Sequence, residues 1–550
     1  MVVNTSIFNE FFKLRTYAFE NITKSLILST KLKSIFKLQL NNQQYLIFMK
    51  VHALIFTLSL FLISNTLPAQ HKIGIFDGET AIGNPKVKGT ANYDAKNQTY
   101  TLTGAGTNMW FGNDEFQYLW TTLQGDFILR ATVKFNGDGQ DPHRKTGWVI
   151  KNSLDTNSAH VNASTHGDGL TSLQYRKTVG GLTEEMKSND QSPTIIQLER
   201  RGTTYIMSTA KFGEEFTTVE LTDINLDNEV YVGLYVCSHN PKVLESATFS
   251  NVRIVKPVSE DYTPYRNYIG SNLELMDVET GHRKIIHHSA HSIQAPNWTV
   301  DGKKLIYNSK GHLYNYELET SANTPLNTGF AVNNNNDHVL TFDGKLLGIS
   351  NHNQKDNGSS ALYYLPTEGD SLPKMVTKPG VGASYFHGWS PNNKEMLFTG
   401  NRNGAYNIFS VNVKSGKEEQ LTDLPTLDDG PEYSENGKFI YFNSVRSGTM
   451  QLYRMKANGK KQEQLTFDEY NNWFPHVSPD QKWIVFISFP KDINPSEHPF
   501  YKHCMLRIMP FKGGEPKVLA HIYGGQGTIN VPSWSPDSKR IAFVTNTDNY

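Results

Sequence analysis

Between residues 72 and 256 the hydrophobic positions fall in short alternating runs, with no long 3.6-residue period. Phe127-Ile128-Leu129-Arg130-Ala131-Thr132-Val133, Thr146-Gly147-Trp148-Val149-Ile150 and Val230-Tyr231-Val232-Gly233-Leu234-Tyr235-Val236 are clear examples. Alternation sends successive side chains to opposite faces of a strand, so each run can bury one face. Clusters of Gly, Asn and Asp separate the runs, as turns require. The pattern predicts a jelly-roll β-sandwich of about twelve strands, with Trp120 and Phe127 in its core. Two prolines and polar residues predict a linker over 257–270.

From residue 271 onward a single pattern recurs. Ser533-Trp534-Ser535-Pro536-Asp537-Ser538-Lys539 is a polar turn that leads into the apolar Ile541-Ala542-Phe543. Five related turns lead into Leu305-Ile306-Tyr307, Leu346-Leu347-Gly348-Ile349, Met396-Leu397-Phe398, Phe439-Ile440-Tyr441-Phe442 and Trp483-Ile484-Val485-Phe486. The turn lysines are 303, 345, 394, 438, 482 and 539, so the steps are 42, 49, 44, 44 and 57 residues. A strand-built repeat of about 40–50 residues predicts propeller blades. A second hairpin follows each turn, which makes four strands per blade, and such blades bury their faces only by stacking in a ring. The hairpin over 272–286 lies ahead of the first copy and is expected to complete the blade that the last copy begins. The predicted fold class is all-β: a sandwich over 72–256 and a six-bladed propeller over 271–550, closed by strands from both ends.

The first module resembles concanavalin A-like sandwiches of the laminin-G and glucanase type. The resemblance is carried by Gly125-Asp126-Phe127-Ile128-Leu129-Arg130-Ala131, the Gly147-Trp148 strand, Val230-Tyr231-Val232-Gly233-Leu234 and Ala247-Thr248-Phe249-Ser250-Asn251-Val252. It implies a concave sheet that often holds sugar. The second module resembles the TolB-like propeller, whose WD40-like PD40 repeats read W-S-P-D-G-K and then I-A-F. Trp389-Ser390-Pro391 and Trp534-Ser535-Pro536-Asp537 match, while Tyr433-Ser434-Glu435-Asn436-Gly437-Lys438 and the second copy depart. That resemblance implies an envelope binding protein, although the family's usual companion is a small α/β domain and not a sandwich. Similar blades occur in prolyl-oligopeptidase-type peptidases, but the Gly-x-Ser-x-Gly nucleophile elbow is missing.

Composition narrows the classes. Lysine plus arginine and aspartate plus glutamate both number 53, which gives no electrostatic case for nucleic acid or an anionic membrane surface. Two cysteines, Cys237 and Cys504, fall in different modules, so free thiols are expected and a disulfide framework is not. Met49-Lys50, an apolar run over 51–63 and Leu67-Pro68-Ala69 read as a secretory signal cleaved after Ala69, which predicts a periplasmic or secreted protein. That run is too short to cross a membrane, so the chain is not expected to be an integral membrane protein. Residues 1–48 then read as lying upstream of the true start at Met49, the alternative being a long basic leader.

Candidate chemistry lies just ahead of the turns, where innermost strands converge on the ring axis. His338 and His387 stand two residues before the Trp position, Glu432 and His476 one before, and Asp429 and Trp473 four before. Asn472 and Arg446 flank the same region. Three histidines and a carboxylate on one axis could hold a divalent metal, the one cofactor the sequence suggests. Propeller-type uronate lyases, which the module is similar to, place a metal at such a mouth, though in a seven-bladed ring. In the sandwich, Trp110 within an aromatic-rich stretch and His166 with Asp168 on a polar turn are candidate sugar contacts. The string of two glutamates that a retaining glucanase aligns on one strand face is absent, since Glu184 and Glu185 are adjacent. The leading expectation is therefore a binding protein for a glycan or an envelope protein. The alternative is a polysaccharide lyase or hydrolase working through the channel histidines.

Overall fold

The computed structural model describes residues 72–548 except 260, 264, 354–356 and 403. The expected export signal over 49–69, and residues 1–48, lie outside the described residues. Among the described residues no helix is long and apolar enough to cross a membrane.

The sandwich consists of two seven-stranded antiparallel sheets. The first runs Gly78–Ile82, Phe116–Gln124, Glu229–Cys237, Lys145–Lys151, His160–His166, Thr171–Arg176 and Glu184–Lys187 across its width. The second is centred on Phe127–Phe135 and the long strand Asn240–Val255. Phe127, Leu129, Trp148, Leu198 and Phe249 are buried between them. Trp120 differs from expectation: it projects from the far face of the first sheet, where its indole donates to Thr80 Oγ1 at 3.0 Å.

Five four-stranded blades follow, and the sixth is completed as the repeat count requires. The last strand, Arg540–Thr547, pairs with Gly270–Asp277, which pairs with Arg283–Ser289. A bridge between Trp534 and Ile541 supplies the innermost position of that blade.

The turn motif is six copies of one hydrogen-bond circuit. A Ser or Thr hydroxyl donates to the Asp or Asn two residues on, at 2.5–3.1 Å. The same Asp or Asn oxygen accepts the backbone N–H of the turn lysine, at 3.0–3.2 Å. Short polar side chains that bond locally to backbone favour turns for this reason. Copies that drop the Trp or Pro keep the circuit. The Trp does something else. Trp389 and Trp534 donate their indole N–H to the carbonyls of Val339 and His476 on the preceding blade, at 3.0 and 2.9 Å. Each therefore staples blade to blade.

The innermost strands of blades 1 to 5 each carry a register shift before the turn. In three of them a positive-φ residue precedes a proline: Ala295 at 54°, Gly430 at 63° and Phe474 at 56°. Proline has no N–H for the ladder, so a bulge is where a strand tolerates it. The bulge breaks strict alternation, so side chains three apart, such as Asp429 and Glu432, can both serve the axis.

A buried carboxylate sits at the junction of sandwich and propeller. Glu274, on the first propeller strand, is fully buried. It receives Arg253 of the sandwich's last strand at 2.6 Å and Arg283 of the neighbouring propeller strand at 2.9 Å. Thr545 of the closing strand donates its hydroxyl to the same carboxylate at 2.5 Å. The sandwich also covers the outer edge of the closing blade. Gln98 exchanges 2.8 and 2.9 Å bonds with the backbone of Ile285, and Asn251 bonds Gly281 O and Arg283 N. Side-chain amides thus stand in for a missing neighbour strand, which protects an otherwise open edge.

Burial alone would raise the Glu274 carboxyl, but Arg253 and Arg283 hold it down at about 2. A depressed carboxyl contributes stability above its unfolded value, and that contribution is lost as pH falls towards about 2. Glu274→Gln should cost about 3–5 kcal/mol at neutral pH, because two guanidinium groups lose their buried partner. The variant should also show a shallower loss of melting temperature below pH 4.5 than the parent. Parallel pH profiles would contradict this account.

Candidate functional site

The channel mouth at the turn end is a cavity of about 280 Å³. Every blade contributes to its wall: Trp298, Phe342, Trp389, Tyr433, Val477 and Trp534. Glu432 and Glu435 are the charged residues in the lining. The rest of the wall is largely apolar, built from the aromatic residues and turn prolines with Asn297, Thr299, Thr341 and Ser478 among them, and two of its indoles, Trp389 and Trp534, are the staples described above. Glu432 is held firmly, accepting from Val477 N at 2.9 Å and facing His476 Nδ1 at 2.7 Å. His476 Nε2 lies 2.6 Å from Ile529 O, so both ring nitrogens meet oxygen acceptors.

Deeper in the channel a second group gathers. His387 Nε2 lies 3.1 Å from Asp429 Oδ1, and its ring stacks on Phe474 with centroids 6.1 Å apart. The same Asp429 oxygen accepts the Thr399 hydroxyl at 2.6 Å and Gly430 N at 2.7 Å. Burial alone would raise the Asp429 carboxyl, but His387 and Thr399 hold it at about 2. Burial lifts Asp337 to about 7, with His387 opposing and the Asp429 charge adding. Burial would lower His387, but Asp337 and Asp429 together leave it raised. Over this group folds the long insertion of blade 5, residues 490–501, between the strands Trp483–Phe489 and Lys502–Pro510: His498 packs on Trp473 at 4.5 Å and on Phe474 at 5.2 Å.

The sequence-predicted channel residues divide into two sets. His387, Asp429, Glu432 and His476 do line or underlie the channel. His338 is wholly buried, with Nε2 3.1 Å from Ile306 O of the preceding blade, and burial drives its imidazole down to about 4. Arg446 is turned away from the axis: it grips both oxygens of Asp428 at 2.9 and 2.8 Å and packs over Tyr453. Asn472 is buried against Ser488 and Asp468, and Trp473 is buried beneath the insertion. Among the described residues, no group of three or more His, Cys, Asp or Glu side chains could hold a metal ion. Convergence of His338, His387 and His476 on a single point therefore does not occur. Asp337, Tyr385 and His498 belong to the deeper group and were not singled out from sequence. Asp337 adjoins His338 in an Asn-rich run, and that adjacency was the available signal.

In the sandwich, His166 is part of a buried polar face of the first sheet. Register places Lys145 opposite His166, Lys151 opposite His160, and Asn162 opposite Gln174. Asn162 Nδ2, His166 Nδ1 and Gln174 Oε1 are without a hydrogen-bond partner, and His160 Nδ1 lies 3.6 Å from Asp114 Oδ2. Burial, with Lys145 beside it, lowers His166 to about 3. Trp110 lies at the margin, in the loop that Asp114 pins through Arg176 at 2.7 Å. Asp168 is exposed and accepts Leu170 N at 3.0 Å, a turn bond that leaves it apart from the buried face. Cys237 and Cys504 are both buried and unpaired.

The geometry defines a class: a six-bladed propeller with an apolar mouth, fused to a two-sheet sandwich. Residues 356–498 match the PD40 family, described as the TolB beta propeller domain. The uncharacterized protein Atu1656 of Agrobacterium fabrum is 38% identical over 275 residues, half of this chain and 92% of its own length. The chain belongs to this TolB-like PD40 propeller family. A solved structure assigned as TolB from Agrobacterium tumefaciens is 37% identical, with a TM-score of 0.49, over 52% of this chain and all of that one. TolB from Acinetobacter baumannii is 20% identical, with a TM-score of 0.37, over 47% of this chain and 64% of that one. These likenesses concern about half of this chain.

A raised carboxyl binds its proton in the folded chain where the unfolded chain has already lost it. Asp337 therefore withdraws stability as pH climbs from about 4 to about 7, and the loss persists above that. Asp337→Asn should melt higher than the parent at pH 8, with the two melting temperatures converging towards pH 4. An equal difference at both pH values would show that Asp337 does not carry the buried charge.

Proposed function

We propose that this chain is an exported binding protein whose propeller mouth receives an apolar segment of a partner protein. One observation carries the reading: an apolar cavity of about 280 Å³ to which all six blades contribute. Apolar pockets with a few placed polar groups are the usual form of a binding site. The hydrogen-bond staples hold the wall in place before any partner arrives, which limits the ordering cost of association. The basic and apolar stretch ending at Ala69 supports export to the periplasm or beyond.

A second reading concerns the sandwich. Its buried polar face leaves donors and acceptors unmet on Asn162, His166 and Gln174. Buried polar atoms are normally paired, and a cluster of exceptions calls for water or a ligand. We infer that this face is suited to a small polyhydroxylated ligand of the glycan kind.

Panning a random peptide display library against the protein tests the first reading. Enriched peptides should be apolar, and Val300→Glu or Phe342→Glu at the mouth should abolish their capture. Lys491→Glu, on the insertion, should not. Equal capture by the mouth variants and the parent would sink the proposal. For the sandwich, an oligosaccharide should raise the melting temperature of the parent and not of Gln174→Ala. No shift across an oligosaccharide panel would remove the second reading.

A further inference from the structure

The mouth has an uneven charge that its apolar wall does not explain. Its lining contains Glu432 and Glu435 and no lysine, arginine or histidine. The six turn lysines are exposed on the outer rim, and none lines the cavity. Both oxygens of Glu432 are committed, one to Val477 N and one to His476. Glu435 is different. It stands exposed at the blade 4 turn, and among the described residues it has neither an ion-pair nor a hydrogen-bond partner. Burial against the mouth and the charge of Glu432 both raise its carboxyl, so two acidic groups share one largely apolar cavity whose lining carries no basic side chain.

Around them stand Trp389, Tyr433 and Trp534, while the ring of Trp298 already carries the Arg540 guanidinium at 5.2 Å. Indole and phenol faces attract cations, and they accept the apolar stem of a long basic side chain equally well. Glu432 cannot move to meet a ligand, while Glu435 can turn towards one. We propose that the occupant of the mouth presents a lysine or arginine to Glu435, with Glu432 behind it, from within an otherwise apolar segment. This rests on the mouth being the contact surface, and it names the chemistry that surface selects. The aromatic wall supplies the contact area, and the carboxylate pair rejects segments that carry an acidic residue at the same point.

Four acetylated and amidated hexapeptides of leucine and proline, differing at one central position, serve as probes. That position carries lysine, arginine, norleucine or glutamate, and binding is read by calorimetry. The lysine and arginine peptides should bind about ten-fold more tightly than the norleucine peptide, with glutamate weakest, as a partly desolvated charge pair predicts. Glu435→Gln should remove most of that preference, read as the ratio of lysine to norleucine affinity, with the melting temperature reporting that the variant is folded. Glu432→Gln is the second variant, and its melting temperature reports whether the His476 contact tolerates it. Equal binding of all four peptides overturns the charge proposal and leaves the mouth reading standing. A preference for lysine that survives both substitutions overturns it as well. Failure of every peptide to bind the folded parent overturns both.

Discussion

Glu274 carries a negative charge where water cannot reach it, and three parts of the chain supply the groups that make this tolerable. Arg253 comes from the sandwich, Arg283 from the second propeller strand and Thr545 from the last strand. A buried carboxylate without partners costs several kcal/mol, so the site is stable only when all three segments are in place. The contact therefore does more than join two modules. It couples ring closure to module docking. Stacking of Phe216 on His521 at 3.5 Å is a further contact between the same two modules.

The fold was legible because its determinants are local. Each blade announces itself through a hydroxyl, an Asx residue and a lysine at fixed offsets, and the structure shows these closing one circuit six times. Even Leu340-Thr341-Phe342-Asp343, which lacks the tryptophan, could be counted. The sandwich was legible from alternation, while Trp120 was misplaced because alternation does not say which face is the core. Two apolar faces on one strand look alike until the sheets are paired.

The site was legible only in part, and the reason lies in the bulges. Counting back from the Trp position gives the right neighbourhood, but a register shift decides which side chain meets the axis. Position one before the Trp is also a blade-to-blade tie. Asn297 Oδ1 accepts Leu340 N as Glu432 accepts Val477 N. A polar residue there can satisfy the ring and need not serve a ligand, and sequence alone does not separate the two. Arg446 shows the opposite error. It neighbours the channel in sequence, but alternation sends Asp428 and Asp429 to opposite sides of the strand, and Arg446 follows Asp428.

The closing strand has a consequence in time. Thr545 and Glu274 are 271 positions apart, so the bond that completes the buried site closes a very long loop. Contacts between distant positions are slow because a long loop must be gathered first. Until then the sixth blade would be a bare hairpin with one unpaired side, an invitation to pair with another chain. The sandwich is complete by residue 255 and can already clasp that hairpin through Arg253, Gln98 and Asn251. The hairpin therefore has both flanks covered from far along the chain, one by side chains of the first module and the other by the strand Arg540–Thr547.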